Sequence, residues 1–187
     1  INNNTKIFFD SADLNQNNDI KKIIKKCRKY FKSIDILINC AGIFTIKSLK
    51  KSSIIDFDQS FNVNCRAPFI FSKEFSNDMI QKKWGRIVNI GSSSSYSGFK
   101  DTSIYCASKH ALLGFSRSLH NELKEKNVRT ISISPGSVKT PMGKKVKYQT
   151  FENFINPQEI SKLLSSLLKL NNEMVIDEIR LNRMKMS

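Results

Sequence analysis

Arg86-Ile87-Val88-Asn89-Ile90-Gly91-Ser92-Ser93-Ser94-Ser95 is the stretch that decides how this chain folds. Ile87, Val88 and Ile90 form a nearly continuous apolar run that ends in small polar residues. A strand covered on both faces needs such a run, and such strands belong to parallel sheets. Residues 34–38 have the same form and stop at Asn39-Cys40-Ala41-Gly42. Residues 128–134 repeat it and stop at Pro135-Gly136. Residues 6–9 read as a short first strand and residues 174–181 as a last one.

Helical patterns separate these runs. Asp19 can cap a helix through about Phe31, with Ile20, Ile23, Ile24 and Cys27 on one face. A long stretch runs from about Ile54 to Lys82, is broken or kinked at Pro68, and is stopped by Gly85. Ser103 can cap a helix to about Lys126 carrying Ala107, Leu112, Phe115, Leu119 and Leu123. Asn156-Pro157-Gln158-Glu159 is a helix start with cap, N1 proline and N3 acid in place. Strands alternating with helices predict an α/β fold, a three-layer doubly wound parallel sheet forming one domain over residues 1–187. Ligands bind beyond the carboxyl ends of such strands, so residues 39–42, 91–95 and 135–140 are the places to search.

Bulk properties bound the function. A chain of 187 residues can bury one substantial core. No apolar stretch approaches the roughly 20 residues of a membrane span. The opening Ile1-Asn2-Asn3-Asn4 has neither the basic nor the apolar region of a secretory signal. Cys27, Cys40, Cys65 and Cys106 include no C-x-x-C pair, and only two His are present. Reduced thiols in a cytoplasm fit better than a zinc site or disulfides. The net charge of +15 raises nucleic acid as a partner. The lysines are scattered, however, and accompany heavy use of Asn and Ile, as AT-rich coding produces. No nucleic acid is expected.

Chemistry concentrates on one helix. Tyr105 and Lys109 are four apart and share a face. A free tyrosine titrates near 10, too high for easy proton exchange at neutral pH. A nearby ammonium favours the phenolate, and such a tyrosine can give a proton to a carbonyl oxygen or take one from an alcohol. The lysine can also hold ribose hydroxyls. Ser92 lies 13 residues upstream, on a loop that can aim its hydroxyl at a substrate oxygen. Asn64 is a poor helix former in mid-helix, where a bulged turn would free a backbone carbonyl to hold water.

These residues, in this order, resemble the short-chain dehydrogenase/reductase family, whose fold is Rossmann-like. Asp13-Leu14 resembles its adenine-contacting acid, and Asn39-Cys40-Ala41-Gly42 its Asn-Asn-Ala-Gly, with Cys at the second place. Asn64, Ser92, Tyr105 and Lys109 match its catalytic set. Pro135-Gly136-Ser137-Val138-Lys139-Thr140 matches its Pro-Gly segment, whose Thr contacts the nicotinamide amide. The resemblance implies catalytic roles for Ser92, Tyr105, Lys109 and Asn64. It implies cofactor contacts from Asp13, Leu14, Asn39, Ala41, Gly42, Tyr105, Lys109, Pro135, Gly136, Val138 and Thr140. It implies NADP or NAD as cofactor, leaning to NADPH, and a homodimer or homotetramer. The substrate would be a small-molecule or carrier-protein-bound carbonyl. The nearest subgroup is 3-oxoacyl carrier-protein reductase, where Lys83 and Lys126 stand at places that meet an acidic carrier protein.

The chain departs from the family at its beginning. The Gly-rich pyrophosphate turn is missing, since no glycine precedes Gly42. The expectation is an N-terminally truncated member lacking the first two strands. Those strands separate the third from the fourth in the family's sheet. Residues 6–9 would then have lost their neighbours, and residues 34–38 would show an apolar edge prone to aggregation. A carbonyl/alcohol oxidoreductase stands beside two other readings: a non-catalytic remnant of the same fold, and a nucleic-acid binder whose affinity falls steeply with salt.

Overall fold

The computed structural model describes residues 5–171 and 173–184. Among these, nine longer elements follow in order. They are α1 (Asn17–Tyr30), β1 (Ile36–Asn39), α2 (Ile54–Phe61), α3 (Ala67–Lys82), β2 (Gly85–Ile90), α4 (Ser103–Leu123), β3 (Val128–Pro135), α5 (Pro157–Leu168) and β4 (Glu178–Leu181). The strands form one parallel sheet in the order β1-β2-β3-β4.

Alternate residues of β2 point to opposite faces, so one strand feeds two cores. Ile87 packs with Phe75 and Met79 of α3 and with Leu123 and Val128, while Cys27 and Ile24 of α1 lie against them. Val88 packs with Ile131, Ile133 and Leu167 of α5. Helices therefore cover both faces, giving the three-layer doubly wound arrangement. No helix among the described residues is long and apolar enough to cross a membrane.

Several boundaries differ from expectation. Residues 6–9 are not a strand. A strand exists through its ladder bonds, and among the described residues no strand pairs with this segment. It is held by the Tyr30 hydroxyl, which donates to Ile7 O at 3.3 Å, and by the tilted contact of the Phe8 and Tyr30 rings. β1 begins at Ile36 and is an edge strand, with Ile36 and Ile38 39% and 43% exposed. It is thus not covered on both faces; its expected open apolar edge is there. The last strand is shorter than expected, only Glu178–Leu181.

Helix ends also differ. Gln16, not Asp19, precedes α1; Asp19 lies in its first turn and accepts the Asp13 amide at 3.3 Å. Thr102 precedes α4 in place of Ser103. α3 ends at Lys82 with Lys83 left-handed at φ 51°, before Gly85 is reached. Gly85 instead opens β2, where a Cβ would collide with the Met79 side chain. Asn156 caps α5 as expected, accepting the Gln158 amide at 3.0 Å.

The long central helix is interrupted where Asn64 predicts it. Residues Asn62–Arg66 form a π turn between α2 and α3, and the Ala67 amide reaches back to Asn62 O. Pro68 sits in the first turn of α3. In α register the Asn64 carbonyl would take the amide of residue 68, and a proline has none.

Candidate active site

The site forms at the carboxyl ends of β1, β2 and β3, where the backbone must turn and side chains from α4 reach over. Ser92 follows the end of β2 and caps the turn Ser93–Ser95. Its Oγ accepts the Ser94 amide at 3.1 Å, and Ser95 Oγ accepts the Ser92 amide at 3.2 Å. Gly91 is needed here because a Cβ would collide with Ser134 Oγ on β3. The Ser92 hydroxyl stands by the Tyr105 phenol, in the first turn of α4, and pulls its titration down. Tyr105 is buried, with its ring edge-on to Phe44 at 4.7 Å between centroids.

Lys109 is buried on the next turn of the same helix. Its Nζ donates to Ile90 O at 2.8 Å and stands 5.9 Å from the Tyr105 ring centroid. Burial pulls the Lys109 ammonium down to about 8. Burial is also the largest influence on Tyr105 and pushes its phenol up, while the Ser92 hydroxyl pulls it back. In the chain by itself, Ser92 is therefore the group that eases Tyr105 deprotonation.

Asn64 is fully buried and faces the same cleft. Its Oδ1 accepts the Ile43 amide at 2.9 Å, and its Nδ2 donates to Ile43 O at 3.0 Å and to Ser108 Oγ at 3.0 Å. Gly42 lies against this group: a Cβ there would stand 3.2 Å from Asn64 Oδ1 and 3.7 Å from Lys109 Nζ. Ser92, Tyr105, Lys109, Asn64 and Gly42 are thus brought into one place from four segments: the turn after β2, α4, the π turn and the loop after β1.

The other expected residues spread outward from it. Leu14, Asn39 and Ala41 line a cavity of about 240 Å³ with Cys40, Val63 and Pro68. The Asn39 side chain turns inward and donates to Asn89 Oδ1 at 2.8 Å. Asp13 lies at the exposed turn before α1, with its carboxylate accepting the Asn15 amide at 2.9 Å. Pro135 ends β3, and the Gly136 amide donates to Leu181 O at 2.7 Å. Val138 bridges Ile155, and Thr140 Oγ1 accepts the Gly143 amide at 3.0 Å.

The first 150 residues match the family model for short chain dehydrogenases. The chain belongs to the short-chain dehydrogenase family. Over 155 residues it is 35% identical to a 3-oxoacyl-acyl-carrier-protein reductase of Buchnera aphidicola, covering 83% of this chain and 60% of that one. Over 165 residues it is 32% identical to carbonyl reductase family member 4 of Xenopus laevis, covering 85% and 70%. Against several other curated relatives it spans about half their length. Among solved structures it superposes on 4-hydroxyisoleucine dehydrogenase complexed with NADH at a TM-score of 0.81 and 29% identity, over 91% of this chain and 74% of that one.

Within this short-chain dehydrogenase frame, sequence reasoning missed Ser108, Ile43 and Ile90. Ser108 ties Asn64 to α4, the Ile43 backbone answers the Asn64 amide, and the Ile90 carbonyl holds Lys109. Two of the three act through the backbone, which no residue type announces. Lys83 and Lys126 stand just before β2 and β3, joined through the Asn127 side chain to Lys83 O. They lie at the amino ends of the strands, whereas Ser92 lies past the carboxyl ends. A carrier protein approaching this chain's own site would not meet them.

Proposed function

We propose that the chain carries the chemistry-bearing part of an NAD(P)-dependent oxidoreductase that interconverts a carbonyl and a secondary alcohol. The observation that carries this reading is the gathering of Lys109, held by Ile90 O, and Asn64 about Gly42, with the Ser92 hydroxyl acting on the Tyr105 phenol. When bound, the nicotinamide supplies or accepts the hydride.

The residues fit the nicotinamide-ribose half of such a cofactor. Gly42 keeps the space beside Asn64 and Lys109 free of a side chain. Lys109 Nζ spends one of its three hydrogens on Ile90 O, leaving two for ribose hydroxyls. Pro135, Gly136, Val138 and Thr140 would line the nicotinamide side. Asn39, Ala41, Leu14 and Asp13 would extend the contact toward the adenine end. For the pyrophosphate, the described residues offer no glycine-rich turn at a helix N-terminus.

Each side chain then has one task. Ser92 would hold the substrate oxygen and favour the Tyr105 phenolate. Tyr105 would pass the proton to or from that oxygen. Lys109 would orient the ribose. Asn64 would keep its backbone carbonyl at the π turn open for a water that replenishes the proton. The similarity to a 3-oxoacyl-acyl-carrier-protein reductase supports a 3-oxoacyl group as substrate class.

The test uses the full chain. Reduced nicotinamide mononucleotide, which needs no pyrophosphate turn, should be consumed on addition of a 3-oxoacyl thioester. Tyr105→Phe should abolish that consumption while nicotinamide mononucleotide still perturbs the Lys109 signals. Undiminished turnover in Tyr105→Phe sinks the assignment.

A further inference from the structure

The reaction needs Ser92 held at a fixed distance from Tyr105, although the two belong to different elements. Ser92 belongs to the turn after β2, and Tyr105 to α4. The inner end of that turn is seated by Gly91 against β3, where a side chain would collide with Ser134. Its outer end is Tyr96, whose amide closes the turn on Ser93 O at 3.1 Å.

Tyr96 is anchored in an unusual way. Its hydroxyl donates to Glu178 Oε1 on β4. The same carboxylate is gripped at both oxygens by Arg117 of α4, from Nε at 2.8 Å and from Nη2 at 3.1 Å. The Arg180 guanidinium lies 3.4 Å from the Tyr96 ring centroid. Glu178 is mostly shielded, and the Arg117 guanidinium holds its carboxyl below the usual range. Arg117 stands on the helix that also carries Tyr105 and Lys109. A two-point guanidinium grip is geometrically strict, because both N–H bonds must point at one carboxylate plane.

We propose that Tyr96, Glu178 and Arg117 are positioning residues that clamp the Ser92 turn to the helix bearing Tyr105. The proposal rests on the reading of Ser92 and Tyr105 given above. Glu178 receives the turn through Tyr96 and the helix through Arg117, so one carboxylate sets the separation of the two reacting side chains. Among the described residues, none of the three is hydrogen-bonded to the Ser92, Tyr105, Lys109 or Asn64 side chains. Their effect reaches the site through the reach of the Ser92 hydroxyl to the Tyr105 phenol.

The experiment follows the Tyr105 titration in the full chain, without cofactor, by NMR of ring-labelled tyrosine. The chain has four tyrosines, and Tyr96→Phe and Tyr105→Phe assign two of them. Ser92→Ala removes the hydroxyl that lowers the Tyr105 titration and should raise the Tyr105 midpoint by about half a pH unit or more. Tyr96→Phe should raise it comparably, although no hydrogen bond joins Tyr96 to Tyr105 among the described residues. The double variant should move it no further than Ser92→Ala. Glu178→Gln keeps an acceptor for Tyr96 but loses the charge that holds Arg117, so it should give a smaller shift in the same direction. That variant serves as the test if Tyr96→Phe does not fold. A Tyr105 midpoint unmoved by Tyr96→Phe or Glu178→Gln, with Ser92→Ala shifted, overturns the clamp and leaves a brace for β4. A midpoint unmoved by Ser92→Ala overturns the Ser–Tyr reading itself, and the clamp with it.

Discussion

Asn64 holds the backbone of Ile43 at both ends of one residue, accepting its amide at 2.9 Å and donating to its carbonyl at 3.0 Å. A side-chain amide carries an acceptor and a donor on separate atoms and so can answer an N–H and a C=O together. The loop after β1 is thereby fixed against the π turn, and Gly42 is fixed beside Lys109. The residue expected for its backbone carbonyl is thus also the residue that shapes the loop.

Asn64→Ala should accordingly destabilise the fold. It strands the Ile43 amide and carbonyl and removes one of the two donors to Ser108 Oγ, leaving Ser60. The expected loss is about 2–4 kcal/mol in urea unfolding. Asn64→Asp keeps an acceptor for the amide but sets a carboxylate oxygen against Ile43 O, so it should not rescue the loss. Wild-type stability in either variant would show that the loop is held elsewhere.

Lys109 makes stability depend on pH in a defined window. Burial lowers its titration from 10.5 to about 8. Below about pH 8 the group is charged in folded and unfolded chains alike, and the folded chain bears the full cost of dehydrating it. Between about 8 and 10.5 the folded chain gives up the proton first, so this group adds stability as pH rises. Lys109→Met should therefore be more stable than the parent at neutral pH, by up to about 3 kcal/mol. The gain should shrink toward pH 10.5. A constant difference across that range, read from urea midpoints, would show that the lysine is not dehydrated.

Gly143 permits the close return of the segment after β3. A Cβ there would collide with Val138 O and would also press on the Phe154 ring at 3.4 Å. Gly143→Ala should cost about 1–3 kcal/mol. It should also displace Val138 and Thr140, so nicotinamide mononucleotide binding should weaken. Unchanged binding with reduced stability would separate this segment from the cofactor.

The open edge of β1 sets solution behaviour. Ile36 and Ile38 lie on one face of the strand and remain well exposed beside unpaired backbone groups. Ile38→Lys should reduce light scattering during refolding from denaturant, because a charge on an edge opposes strand pairing between chains. Its effect on the melting temperature should be small, since little apolar area is lost. Scattering equal to the parent's would place the sticky surface elsewhere.

The residue order determined which elements form and where chemistry gathers. Apolar runs at residues 86–90 and 128–134 announced strands that are buried, while the similar run at 34–38 announced a strand that lies at the exposed sheet edge. Tyr105 and Lys109 announced a shared face because α-helical spacing places them there. Asn64 and Pro68 announced an interrupted helix because one favours bulged backbone and the other lacks an amide.

The tertiary structure decided what depends on neighbours. Residues 6–9 have strand-like composition but no partner to complete a ladder, so they form no strand. The ends of α1 and α4 fell at Gln16 and Thr102, because packing outweighed the small advantage of a side-chain cap. Lys109 came to rest on Ile90 O, and burial became the largest influence on Tyr105 with Ser92 pulling against it, because both depend on what packs around α4. The link from Tyr96 through Glu178 to Arg117 joins three distant segments, and nothing along the chain marks their meeting.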